Sequence, residues 1–216
     1  TCRKSLLSDL RRIVVMSGAR RTGKTTIMYQ LIHDLLEQGV KPQNILFFTF
    51  DHPLIRMAGM DQVLNIYKNN ISDDAHFYMF VDEVQFDKDW TNYLKMAYDM
   101  NPDMRSVATG SASAAIEDDV RESGAGRWTV IKVTTLSFYE YCALKGISKA
   151  QSVDDVFRIH TLSKQQQTQL MMGLSDLQIH LMRYMQIGGF PELVKTEDVP
   201  YAQKLIREDV MDRAIK

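Results

Sequence analysis

The run Gly18-Ala19-Arg20-Arg21-Thr22-Gly23-Lys24-Thr25 fits the pattern G-x-x-x-x-G-K-[ST]. Its chemistry is the holding of a phosphate chain. The glycines let successive backbone N–H groups curl around phosphate oxygens. Lys24 brings a cation to the terminal phosphates, Thr25 offers a hydroxyl to Mg²⁺, and the helix that follows turns its positive end toward the anion. By chance the bare pattern should occur in roughly one chain of this length in a hundred or fewer. Here it also follows an apolar strand and opens a helix, which is the setting the mechanism requires. We take Gly18, Ala19, Arg20, Arg21, Thr22, Gly23, Lys24, Thr25 and Thr26 as the nucleotide-binding set. Arg20 and Arg21 either add charge beside the phosphates or are solvated loop cations.

A second chemical feature lies 58 residues beyond Lys24, where the apolar strand Phe77-Tyr78-Met79-Phe80-Val81 runs into Asp82-Glu83. Adjacent carboxylates at the end of a buried strand need a partner, because desolvating a charge costs several kcal/mol. A Mg²⁺ shared with Thr25 and the phosphates is such a partner. Asp82 would bind that metal directly or through a water, and Glu83 would polarise the attacking water. The fourth strand ends Ala108-Thr109-Gly110-Ser111. If it lies between the phosphate-loop strand and the Asp82 strand, Thr109 or Ser111 faces the γ-phosphate. Arg127, just before the fifth strand, is either a surface charge or an arginine finger for the nucleotide of a neighbouring subunit.

The elements that must position these groups follow from periodicity. Apolar runs are expected as strands at Ile13–Ser17, Ile45–Phe50, His76–Val81, Arg105–Thr109 and Trp128–Val133, each apolar nearly throughout, as in a parallel sheet covered on both faces. After Lys24, a helix places Ile27, Met28, Leu31, Ile32, Leu35 and Leu36 on one face and ends near Gly39. Another starts near Asp89, with Trp90, Tyr93, Leu94 and Ala97 in register. Ser137-Phe138-Tyr139-Glu140 has capping-box spacing and opens a helix through Leu144. Beyond Gly146 the strand signal stops. Ile147–Gln169 is polar, and a stripe of Leu174, Leu177, Leu181, Tyr184 and Met185 runs to Gly188-Gly189. A last helical stretch, Tyr201–Lys216, follows Pro200. This divides the chain into an α/β core at 1–146 and a helical appendage at 147–216.

Composition excludes several classes of function. The 216 residues are 45% hydrophobic and 25% charged, ordinary globular values. With 26 basic and 27 acidic residues the net charge is −1, so nucleic acid as a partner has no support from charge. No apolar run approaches the ~18–20 residues of a membrane span. Cys2 and Cys142 form neither a CxxC pair nor a zinc site, so a reducing, cytoplasmic setting is expected. His33, His52, His76, His160 and His180 are scattered without an i, i+4 pair. The 13 methionines are core filler, and Glu117-Asp118-Asp119 with Glu122 forms a solvated helix face. The chain starts at Thr1 and ends in an unfinished helical pattern, so it is expected to be part of a longer protein.

These features, in this order, resemble a family. The phosphate loop, Asp82-Glu83-Val84-Gln85, Thr109-Gly110-Ser111, Gly126-Arg127, Leu136-Ser137-Phe138-Tyr139-Glu140-Tyr141 and Gly188-Gly189-Phe190-Pro191-Glu192 are similar to those of AAA-type P-loop ATPases. The group in question is prokaryotic and carries a C-terminal domain of unknown function after the ATPase module. The resemblance implies a P-loop NTPase core with a parallel sheet of order 5-1-4-3-2, flanked by helices and followed by a small helical lid. It implies ATP and Mg²⁺ as cofactors. Lys24 and Thr25 would form the first nucleotide motif (Walker A), and Asp82 and Glu83 the second (Walker B). Thr109 or Ser111 would be the first sensor, and Arg127 a finger in a homo-oligomer. Gly188–Glu192 would lie in the lid near the adenine, and a further domain would follow in cis. The sequence departs from the family in Arg20-Arg21, where small residues are usual, and in lacking a clear lid arginine; Arg183 is merely nearby.

Three functions compete. The first is Mg²⁺-dependent ATP hydrolysis by Glu83, Lys24 and the sensor hydroxyls. The second is a nucleotide-dependent regulatory switch with little turnover. The third, disfavoured by the paired acids and polar fourth-strand tip, is a small-molecule P-loop kinase.

Overall fold

The computed structural model describes residues 2–111, 113–122, 126–147, 160–196 and 198–208. The chain forms two compact units, Thr1–Thr134 and Thr135–Lys216.

In the first unit, a short helix α1 (Cys2–Leu6) precedes β1 (Ile13–Ser17), α2 (Lys24–Glu37), β2 (Ile45–Thr49), α3 (Pro53–Asn70) and β3 (Tyr78–Asp82). Then come α4 (Trp90–Met100), β4 (Arg105–Gly110), α5 (Ser113–Glu122) and β5 (Trp128–Lys132). The strands make one all-parallel sheet of order β2-β3-β4-β1-β5. This is the expected 5-1-4-3-2 order. It brings the ends of β1, β4 and β3 side by side along one edge. The central strands β1 and β3 are buried at every residue, whereas the edge strands β2 and β5 are only partly buried. That is why the central strands read as unbroken apolar runs. Ile13, Val15, Met79, Val81 and Ala108 pack under α3, α4 and α5 through Met60, Tyr67, Trp90, Leu94 and Ile116. Val14, Met16, Phe80 and Val107 pack under α1 and α2 through Leu6, Met28, Leu31 and Leu35.

Two departures from the expected elements have local causes. β3 starts at Tyr78 rather than His76, because the Asp74 carboxylate accepts the His76 N–H at 2.9 Å and holds that residue in the preceding loop. Helix α3 has no counterpart in the periodicity. Only Met60 and Tyr67 of it are buried, and Gly59 (φ 75°, ψ 165°) breaks its backbone, so no continuous stripe forms. His52 lies in a loop and caps α3, its Nδ1 accepting the Leu54 N–H at 3.3 Å.

The second unit holds α6 (Phe138–Lys145), α7 (Lys164–Ile187) and α8 (Val199–Ile206) around Tyr141, Ile187, Phe190, Leu193, Val194 and Ala202. The Ser137/Glu140 capping box forms at the start of α6. The chain divides at Thr134/Thr135 rather than after Gly146, since Phe138 and Tyr141 of α6 meet the Tyr184 ring of α7 at 5.6 and 5.5 Å. Apolar content in α6 made it read as core, but its rings serve the helical unit. Residues 148–159 of the polar stretch, the Leu174 side chain and residues 209–216 of the last helix lie outside the described residues. No helix among the described residues is long and apolar enough to cross a membrane.

Candidate functional site

The loop from Gly18 to Gly23 leaves the end of β1 beside the end of β5. A Cβ on Gly18 would fall 2.1 Å from the Val133 carbonyl oxygen, so the approach admits only glycine. Gly23, with φ 93°, turns the chain into α2, and no side chain caps that helix. Its first-turn N–H groups and the positive end of its dipole therefore point at the loop's interior, where an anion fits. Thr22 is buried and donates its hydroxyl to the Ala19 carbonyl at 2.9 Å. Lys24 is only 5% exposed, and its ammonium donates to the carbonyls of Gly18 (2.9 Å) and Ala19 (2.8 Å). Burial pushes its pKa down; the Glu83 and then the Asp82 carboxylates oppose this, and Arg20 adds to the lowering. Arg21 adopts a left-handed backbone (φ 63°). Thr26 is exposed on α2.

Asp82 closes β3 and is 6% exposed. Thr25 donates its hydroxyl to Asp82 Oδ2 at 3.0 Å, and Thr109 donates to Oδ1. The buried Thr109 oxygen also accepts the Glu83 N–H at 3.2 Å, so one hydroxyl holds the side chain of one acid and the backbone of the next. Burial pushes the Asp82 carboxyl up from its ordinary value; the hydroxyls of Thr109 and Thr25 pull it down, Glu83 pushes it up, and Lys24 lowers it. A hydroxyl and a carboxylate, both hard oxygen donors, suit Mg²⁺, and the negative charge that burial disfavours on Asp82 is of the sign a dication neutralises. Among the described residues no group of three or more His, Cys, Asp or Glu could hold a metal ion alone. The donor set therefore fits a metal completed by water and substrate phosphates.

A stability consequence follows with a definite sign. A carboxyl whose pKa is raised by folding favours the native state below its unfolded value and loses that contribution as pH rises through the folded one. Asp82 thus costs stability at neutral pH. Asp82→Asn is expected to raise the urea midpoint of the nucleotide-free protein at pH 7, and the gap to the parent should close as pH falls toward the ordinary carboxylate range. Paired urea titrations at pH 7 and pH 5 read this directly.

Lys24, Thr25, Asp82, Glu83, Thr109 and Ser111 all lie at the carboxyl edge of the sheet, brought there by the ends of β1, β3 and β4. Arg127 does not join them. It precedes β5 at the opposite edge, about 16 Å away at ~3.3 Å per residue, and is 37% exposed with its Nε 3.1 Å from Asp99 Oδ1. Gly188–Glu192 and Arg183 belong to the second unit; Arg183 donates to the Thr196 carbonyl at 2.6 Å. Sequence reasoning missed Gln85 as a site residue. Its carboxamide donates to the Glu83 carboxylate and, at 2.9 Å, to the Ser111 hydroxyl. The only signal was its place in Asp82-Glu83-Val84-Gln85, and a glutamine three residues past the end of a strand is ordinarily solvated.

The sheet order and the glycine loop between β1 and α2 are those of a P-loop NTPase domain. A family model described as an AAA domain matches residues 10–142, and the chain belongs to that family. It is 28% identical over 193 residues to an uncharacterized protein of Haemophilus influenzae, a match covering 86% of this chain and 41% of that one. An uncharacterized protein of Methanocaldococcus jannaschii is 22% identical over 197 residues, covering 91% and 40%. The chain thus spans about two fifths of the length of the curated relatives it matches. Among solved structures, AMPPCP-bound DnaA from Aquifex aeolicus is similar with a TM-score of 0.45 at 13% identity, over 98% of this chain and 63% of that one. The S. cerevisiae Hsp104–ADP complex gives 0.45 at 16% identity, over 74% and 24%.

Proposed function

We propose that this domain binds ATP with Mg²⁺ and hydrolyses it. The observation that carries the reading is the continuous unit Thr25–Asp82–Thr109–Glu83 beside the buried Lys24 ammonium. It supports a division of labour. Lys24 and the loop N–H groups bind the β- and γ-phosphates, exchanging carbonyl partners for phosphate oxygens. Thr25 and Asp82 would hold the metal, which when bound neutralises phosphate charge and favours attack at phosphorus. Glu83 accepts the proton of the attacking water through its carboxylate, and Thr109 and Ser111 fix the acids that surround it. Arg127 enters this reading as a finger for a second copy and would have to leave Asp99 to act. A further domain in cis would be the element that the nucleotide cycle drives.

Phosphate release from ATP under single-turnover conditions tests the proposal. Chelation with excess EDTA should lower the rate about 100-fold or more, as expected for loss of a metal that supplies several kcal/mol, and added Mg²⁺ should restore it. A rate indifferent to EDTA, or no phosphate release over a day, contradicts it.

A further inference from the structure

We propose that Gln85 is a positioning residue for hydrolysis: with Ser111 it forms a clamp that aims the Glu83 carboxylate at the phosphate loop. The inference rests on the reading of Glu83 as the group that activates water.

Glu83 leaves β3 in a left-handed conformation (φ 56°, ψ 49°), sparsely populated for a residue with a side chain. The 3₁₀ turn Val84–Phe86 that follows returns Gln85 toward the tip of β4. The ring closes there with its protons accounted for. One Gln85 Nε2–H goes to Glu83 Oε2 and the other to Ser111 Oγ at 2.9 Å. The Ser111 hydroxyl donates its own proton to Glu83 Oε2 at 3.1 Å, and the Ser111 N–H donates to Gln85 Oε1 at 3.3 Å. Turning the amide over would set two oxygens against each other at Glu83, so the network fixes its polarity. Glu83 Oε2 receives two donors, while Oε1 accepts no hydrogen bond among the described residues and is the oxygen left for water.

The space for this clamp is built in. A Cβ on Gly110 would lie 2.9 Å from Gln85 Oε1 and 1.9 Å from Ile116 Cδ1, so a side chain there would collide with the carboxamide and with the core at once. From outside, the Arg56 guanidinium lies 3.8 Å over the Phe86 ring and braces the turn.

The test is a double-mutant cycle on single-turnover hydrolysis, with ATP affinity measured alongside. Gln85→Met keeps the side chain's length and removes every hydrogen bond. It should lower the rate at saturating Mg²⁺–ATP about tenfold to thirtyfold while Kd for ATP stays within about twofold. In a Glu83→Gln background the same change should have no further effect, because Gln85 acts only through the carboxylate. A rate within twofold of the parent, or an equal loss in both backgrounds, overturns the clamp. If Glu83→Gln itself turns over normally, or the parent releases no phosphate, the underlying reading fails as well.

Discussion

Glu83→Gln should bind ATP with unchanged affinity and release phosphate about 10²–10⁴-fold more slowly than the parent, the range a positioned general base supplies. The substitution is nearly isosteric. Its amide oxygen can still accept from Ser111 and Gln85, so the tip of β4 and the turn after β3 should keep their geometry. What disappears is the negative charge and the capacity to take a proton. Lys24 also loses the carboxylate that most opposes its lowered pKa. The phosphates of bound ATP supply negative charge in its place, so affinity is spared. Single-turnover phosphate release and equilibrium binding of a fluorescent ATP analogue separate the two effects. Turnover within a few-fold of the parent would remove Glu83 from the mechanism and leave the paired acids with a metal role alone.

Lys24→Ala should abolish binding at concentrations that saturate the parent. The ammonium sits almost wholly out of water, tied to two loop carbonyls, and these are the contacts that phosphate oxygens would take over. Charge-assisted hydrogen bonds contribute about 1.5–3 kcal/mol each, so losing two should raise Kd by roughly 10²–10⁴-fold. The same truncation takes the Lys24 donor from the Gly18 carbonyl, while the Ala19 carbonyl keeps the Thr22 hydroxyl. A modest fall in thermal stability should therefore accompany the loss, read by circular dichroism on the same sample. A variant that folds and binds ATP within threefold of the parent would show that the loop does not hold phosphate through this side chain.

How legible this domain was from sequence depends on how local each determinant is. The five strands read within a residue or two, because five helices bury both faces of the sheet and leave nearly unbroken apolar runs. The Ser137/Glu140 cap was equally plain, since its whole geometry lies within one turn. Helix α7 was read only from its later half. Its start at Ser163, capped by Gln166 in the same reciprocal manner, lies before a polar turn that carries no stripe. Helix α3 was invisible because its backbone breaks at Gly59 and few of its side chains face the core. At the site, Lys24, Thr25, Asp82 and Glu83 were legible because strand-end acids and glycine loops announce themselves by type and spacing. Gln85 was not. Its importance arises from a left-handed residue and from the missing side chain at Gly110, both of which are facts of three-dimensional approach.

The seclusion of Lys24 and Asp82 from water ties the durability of this domain to what it carries. A ligand that satisfies both charges binds the native chain and not the unfolded one, so at a hundred times its Kd it adds about 2.7 kcal/mol to the free energy of unfolding. The melting temperature then rises with the logarithm of ligand concentration. Survival against heat or protease would then report how fully the site is occupied, through the same two side chains that are proposed to grip the nucleotide.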